Sequence, residues 1–184
     1  MTMKKTDRRI AIDVGHARGT GARGNGLQEH EVCVKLGEYL REELAKRGFE
    51  VEVVDFPGRT NSGDLAATVQ HINAGEFALS VSLHCDAADN AGARGAHVIH
   101  VSEKGELVAR AIASHLCPIM PGRANRVVKR GNLYVLNNTR CTAVLVECGF
   151  LTNSRDADML RYEGRRIALA IAVGVEEALK SNEF

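Results

Sequence analysis

The chain has 184 residues, of which 45% are hydrophobic and 26% charged. That is the size and make-up of one globular domain, taken here as spanning 1–184 with 1–8 flexible, and it excludes intrinsic disorder and a coiled coil. Lys and Arg total 24 against 23 Asp and Glu, a formal net charge of +1, and only 4% of residues are aromatic with no Trp, so neither nucleic acid nor a membrane surface is an expected partner.

The charged start, Lys4-Lys5 and Arg8-Arg9, leads only into Ile10-Ala11-Ile12. That is too short for the apolar core of a secretory signal, and the expectation is synthesis in the cytoplasm without an export signal. No apolar run approaches the ~20 residues of a membrane helix. The five cysteines, Cys33, Cys85, Cys117, Cys141 and Cys148, are odd in number and form no Cys-x-x-Cys pair. They read as free thiols in a reducing compartment rather than a Cys₄ metal site.

In chain order, 9–14 reads as a short buried strand, followed by a loop at 15–26 carrying five glycines. Val32, Leu36, Leu40 and Leu44 recur every four residues and predict an amphipathic helix over 28–47, stopped by Gly48 at C′. Residues 49–54 alternate apolar and acidic side chains, as a half-exposed strand does. Phe56-Pro57-Gly58 predicts a turn, and Ser62 is the expected N-cap of a helix through Leu65, Val69 and Ile72 that ends at Gly75. Strands are expected at 77–83, 95–101, 133–136 and 142–146. Helices are expected through Val108, Ile112 and Leu116, stopped by Pro118 and Pro121, and along the stripe Ile167, Ile171, Val175 and Leu179. Strands alternating with helices predict an α/β layered fold with a mostly parallel sheet.

In such folds, sites form where strands end at their carboxyl edge. The first strand leads to Asp13-Val14-Gly15-His16, the third to Ser82-Leu83-His84-Cys85-Asp86, and a late strand to Val146-Glu147-Cys148-Gly149-Phe150. Glu29 stands in the first turn of the first long helix. Two histidines and two glutamates could therefore converge. Two His and one Glu form a known ligand set for catalytic zinc, which keeps a fourth position for water and leaves the second Glu free as general base. Most of the seven histidines are expected to be structural or solvated; topology singles out His16 and His84.

At these residues the chain resembles a known family. Ile12-Asp13-Val14-Gly15-His16, Gly26-Leu27-Gln28-Glu29, Ser82-Leu83-His84-Cys85-Asp86-Ala87 and Val144-Leu145-Val146-Glu147-Cys148-Gly149-Phe150-Leu151-Thr152-Asn153 are similar to the signature blocks of the zinc-dependent N-acetylmuramoyl-L-alanine amidases, catalytic domains of the AmiC/CwlV type. The resemblance implies a mixed, mostly parallel six-stranded sheet flanked by helices on both faces. It implies one Zn²⁺ held by His16, Glu29 and His84, with Glu147 as the catalytic glutamate. It also implies peptidoglycan as substrate, cleaved at the lactyl–L-alanine amide by a monomeric hydrolase of bacterial or phage origin acting on the cell wall.

The chain departs from the family pattern at Val14, Ala17-Arg18, Thr68 and Ile72-Asn73, where loop shape and substrate preference are in question. His30 and Glu31 flank Glu29 as rival ligands; the Gly-Leu-x-Glu match favours Glu29. Asp13 and Asp86 are candidate partners of the ligand histidines. Asn153 and Arg94 are expected to cap a helix and to be solvated, with substrate contact as the alternative. Three rival readings stand beside the amidase: a nucleophilic Cys148 or Cys85 with a neighbouring histidine, a zinc-bearing wall-binding module without turnover, and a different zinc peptidase or amidase of the same fold.

Overall fold

The computed structural model describes residues 9–56 and 58–181. The expected flexibility of 1–8 and the proline of the Phe56-Pro57-Gly58 turn lie outside them. The turn is visible beside Pro57, where Arg59 N donates to Phe56 O at 3.1 Å.

The first strand, β1 (Arg9–Val14), has every residue after Arg9 buried. A two-residue hairpin, β2 (Arg23–Gly24) with β3 (Leu27–Gln28), sits inside the glycine-rich loop. Helix α1 (Glu29–Lys46) buries the expected Val32, Leu36, Leu40 and Leu44, and Gly48 follows at φ +84°, a conformation that favours glycine. Then come β4 (Glu50–Val54), α2 (Asn61–Ala74), β5 (Leu79–Asp86), β6 (His97–His100), α3 (Glu103–Leu116), β7 (Val127–Lys129), α4 (Tyr134–Asn138), β8 (Thr142–Phe150), α5 (Ser154–Tyr162) and α6 (Gly164–Lys180).

Six strands form one sheet in the order β4-β1-β5-β8-β6-β7. All neighbours are parallel except β6 with β8. Alternate strand residues Ile10, Ile12, Leu79, Val81, Val144 and Val146 pack with α1, α3 and α6 in the main core. The opposite face packs Ile99, Ala143 and Leu145 against Val69 of α2 and Val135 and Leu136 of α4. Helices thus cover both faces, as the sequence blocks imply. The stripe of α6 is fully buried at Ile167, Ile171 and Val175, each worth about 1.5–3 kcal/mol of burial. Helix α3 lies so close to α6 that a Cβ on Gly174 would stand 2.5 Å from Ile112 Cα.

Several expectations are corrected. The segment expected as a strand at 133–136 is helix α4, because Val135 and Leu136 are buried side by side, which the period-two pattern of a half-buried strand does not allow. Thr60, not Ser62, caps α2: its backbone is extended and its hydroxyl accepts from Gly63 N. Strand β5 starts two residues later than expected and runs on to Asp86, while β8 continues to Phe150. These extensions place His84 and Glu147 within the hydrogen-bonded ladder rather than in loops beyond it. Strand β7 and helix α5 were not anticipated.

Candidate metal centre

The chain leaves β1 through Gly15 and His16. His16 is one of two non-glycine residues with positive φ among the described residues, at +64°, a backbone conformation that costs a side-chain-bearing residue energy. That turn sends its imidazole back over the carboxyl ends of β1 and β5. Gly15 makes the approach feasible: a Cβ there would fall 2.6 Å from His84 Cε1 and 2.4 Å from Leu83 O. Gly21, at φ +82°, does the same from the other side of the loop. A Cβ on it would fall 2.7 Å from Glu29 Oε2 and 2.9 Å from the His16 ring.

Glu29 is the first residue of α1 and is buried. Its Oε2 accepts from Ala22 N at 2.6 Å and its Oε1 from Cys85 N at 2.9 Å. The same two oxygens face the histidines, Oε1 at 3.1 Å from His84 Nδ1 and Oε2 at 3.4 Å from His16 Nε2. Burial opposes ionisation of Glu29, but the bond from His84, that ring's charge and the two backbone donors outweigh it and hold the carboxyl below its ordinary value. The helix N-terminus acts in the same direction. Burial likewise works against a charged His84, and the contact with Glu29 overrides it, so its pKa is raised.

The His16 and His84 rings meet edge to face with centroids 5.1 Å apart. One ligand-type atom from each of His16, Glu29 and His84 lies within 4.8 Å of the other two. The donor set fits a divalent cation: two imidazole nitrogens and an ionised carboxylate converge, and two glycines leave out the atoms that would fill the space. These three residues could hold a metal.

Glu147 completes the arrangement. In the sheet it is paired with His84 of β5 on one side and His97 of β6 on the other, so all three side chains project from the face that carries α2 and α4. Its Oε2 is buried without a hydrogen-bond partner among the described residues. Burial pushes the carboxyl up to about 8; the His84 charge opposes this, Asp86 and Glu29 add to it, and Arg123 counters. A buried carboxyl with one oxygen unpartnered, in register beside His84, is placed to accept and return a proton.

Beside this row a cavity of about 150 Å³ is bounded by His16, His84, Asp64, Leu65, Tyr134 and Leu145. Asp13 is buried and accepts from Ser82 Oγ at 2.5 Å, so its hydrogen bond goes to Ser82 and not to His16 or His84. Asp86 pairs with Arg123 at 3.0 Å. His30 turns to Asp55 at 3.1 Å and Glu31 is exposed, so the three-residue group contains Glu29 and neither rival. Asn153 caps α5, accepting from Arg155 N and Asp156 N. Arg94 donates to Pro121 O. Cys85 and Cys148 are buried. Contact with Cys33 and burial push the Cys85 thiol well up, and burial does the same to Cys148, so neither offers the thiolate a nucleophile needs. Sequence reasoning passed over Gly21, Asp64, Tyr134 and Arg123. Only the glycine richness of the 15–26 loop hinted at the first.

A family profile described as N-acetylmuramoyl-L-alanine amidase matches residues 10–177. The chain belongs to the N-acetylmuramoyl-L-alanine amidase family. Within it, the chain is 32% identical to the uncharacterized protein YqiI of Bacillus subtilis strain 168, over 91% of this chain and 82% of that one. It is 29% identical to the N-acetylmuramoyl-L-alanine amidase LytC of the same strain, across 83% of this chain but only 31% of LytC. Among solved structures, the catalytic domain of the CD27L endolysin targeting Clostridia difficile superposes with a TM-score of 0.83 at 29% identity, over 91% of this chain and 96% of that domain. The amidase family membership bears out the resemblance carried by the four sequence blocks, and the shared architecture bears out the mixed six-stranded fold.

Proposed function

We propose that this chain is a zinc-dependent hydrolase of the cell wall that cleaves the amide between the lactyl group of N-acetylmuramic acid and L-alanine of the peptidoglycan stem peptide. The observation that carries the reading is the meeting of His16, Glu29 and His84, with ligand-type atoms within 4.8 Å of one another, beside Glu147, whose Oε2 is buried without a partner among the described residues. His16, Glu29 and His84 hold the ion. Bound there, zinc supplies Lewis-acid polarisation of the scissile carbonyl and a water acidified to a pKa of about 7.

The rest of the chemistry belongs to the chain. The Ala22 and Cys85 amides and the helix N-terminus keep Glu29 ionised and fixed in orientation. Glu147 takes the proton of the attacking water and delivers it to the leaving alanine nitrogen. Its place on β8, locked in register with β5, fixes its distance from His84. The cavity walled by Leu65, Tyr134 and Leu145 receives the lactyl-sugar side, while the departing peptide lies over β8 and β6. One catalytic unit carries all four residues.

The test is digestion of purified peptidoglycan followed by mass spectrometry of the products, with and without a chelator. Lactyl-terminated glycan and free stem peptides beginning in L-alanine, lost with chelator and restored by zinc, are the expected products. Glycan cleavage, cleavage within the peptide, or chelator-resistant activity would refute the reading.

A further inference from the structure

Arg123 lies on the segment between α3 and β7, and its backbone is pinned. Ala96 N donates to Met120 O and Val98 N to Arg126 O, both at 2.9 Å. The Pro121–Arg123 backbone packs so tightly on Gly95 that a Cβ there would fall 2.8 Å from both Gly122 N and Arg123 N. The side chain is held as firmly. Its Nη2 donates to Asp86 Oδ2 at 3.0 Å, its Nε donates to His97 Nδ1 at 3.2 Å, and the guanidinium lies 5.0 Å from the Phe150 ring centroid. Burial, and then the Arg123 and Arg130 charges, lower His97 to about 4, so the ring is a neutral acceptor at neutral pH. Arg123 is nevertheless one-third exposed, and its Nη1 has no hydrogen-bond partner among the described residues.

An arginine fixed on three sides with one donor edge left open has already lost the side-chain freedom that binding would otherwise cost, and its planar fork matches a carboxylate. Its place in the sheet says which carboxylate. Across the sheet the order is β1 with His16 beyond its end, β5 with His84, β8 with Glu147, then β6 with His97. The metal group sits at one end of this row, and Arg123 reaches across the far side of Glu147, from His97 of β6 over Phe150 of β8 to Asp86 of β5. The nitrogen that Glu147 protonates belongs to the departing peptide, which therefore continues from Glu147 toward Arg123. Asp86 engages Nη2 only, so it leaves the outer edge of the guanidinium free to donate.

We propose that Arg123 is a specificity-determining residue that binds a free carboxylate of the stem peptide on the leaving side of the scissile bond. This rests on the hydrolase reading above and adds to it a preference for acidic over amidated peptides. The probes are N-acetylmuramoyl-L-alanyl-D-glutamate with its γ-carboxyl blocked as the methylamide and the same compound with its α-carboxyl amidated, so that only the first carries a free peptide carboxylate. Wild-type enzyme should show a KM about 10- to 100-fold lower for the acid, the scale of a hydrogen-bonded charge pair. In Arg123→Gln the ratio of the two KM values should collapse to about one. Arg123→Lys, which keeps the charge and loses the fork, should give an intermediate ratio and keeps the inference testable should the glutamine variant not fold. Equal KM values in the wild type, or an Arg123→Gln that lowers kcat alike on both substrates with the KM ratio preserved, would overturn it. Wild-type enzyme that cleaves neither probe nor peptidoglycan would instead overturn the hydrolase reading.

Discussion

Gly21→Ala should separate the metal site from the stability of the loop that carries it. At φ +82° an alanine costs about 1–2 kcal/mol of backbone strain. Gly19, two residues earlier at φ +79°, carries the same strain, yet a Cβ there meets nothing within 4 Å. The two substitutions therefore share the backbone cost and differ in the clash. At Gly21 the new methyl would lie 2.7 Å from Glu29 Oε2 and 2.9 Å from two carbons of His16, against ordinary contacts of 3.4–4 Å. Relief requires Glu29 or His16 to retreat by roughly 0.5–0.7 Å, while metal–ligand distances tolerate about 0.2 Å. Zinc affinity should fall about 10- to 100-fold or more in Gly21→Ala, the scale seen when support of a ligand is lost, and stay within about threefold of wild type in Gly19→Ala. Competition titration against a zinc-binding dye reads the affinity, and urea unfolding of the apo-proteins reads the shared strain. Equal zinc affinity in the two variants would refute the proposed cradle.

Two further outcomes follow from the same geometry. Glu147→Gln keeps the shape and removes the titrating group, so hydrolysis should drop at least about 10²-fold with zinc content unchanged by atomic absorption; retained activity would remove Glu147 from proton transfer. Burial, and then the neighbouring Asp13, raise Asp64 to about 6, whereas an unfolded aspartate titrates near 3.9. Between these values the folded state holds a proton the unfolded chain has released, so the contribution of Asp64 to stability falls as pH rises from about 4 to about 6 and stays low above. The stability of Asp64→Asn relative to wild type in urea unfolding should accordingly rise over that interval and level off above pH 7, and a difference that does not change with pH would contradict the shift.

The elements that were legible in the sequence are those whose burial repeats. Helices α1 and α6 each bury a side chain every four residues along one stripe, and β1 is an apolar run between charged residues and glycine. His16, His84 and Glu147 were legible because parallel strands deliver their carboxyl ends to one edge. The choice of Glu29 over His30 and Glu31 needed the sequence blocks; in the fold the amides of Ala22 and Cys85 hold Glu29 beside His16 and His84. Helix α4 was misread because five residues are too few to show a period. Helix α5 is mostly polar, and what fixes it is tertiary: its buried Asp156 accepts from Gly95 N and Phe150 N. Arg123 left no local trace because Asp86, His97 and Phe150 converge on it only in the folded chain. The same holds for the Cβ atoms missing at Gly15 and Gly21, whose meaning depends on residues brought from elsewhere.

The most direct test of the metal centre is an anomalous difference map from a crystal grown with zinc, with data collected on both sides of the zinc absorption edge. A single strong peak within bonding distance, roughly 2.0–2.2 Å, of His16 Nε2, His84 Nδ1 and a Glu29 oxygen is expected. A peak coordinated by other residues, or none at this site in crystals that contain zinc, would contradict it.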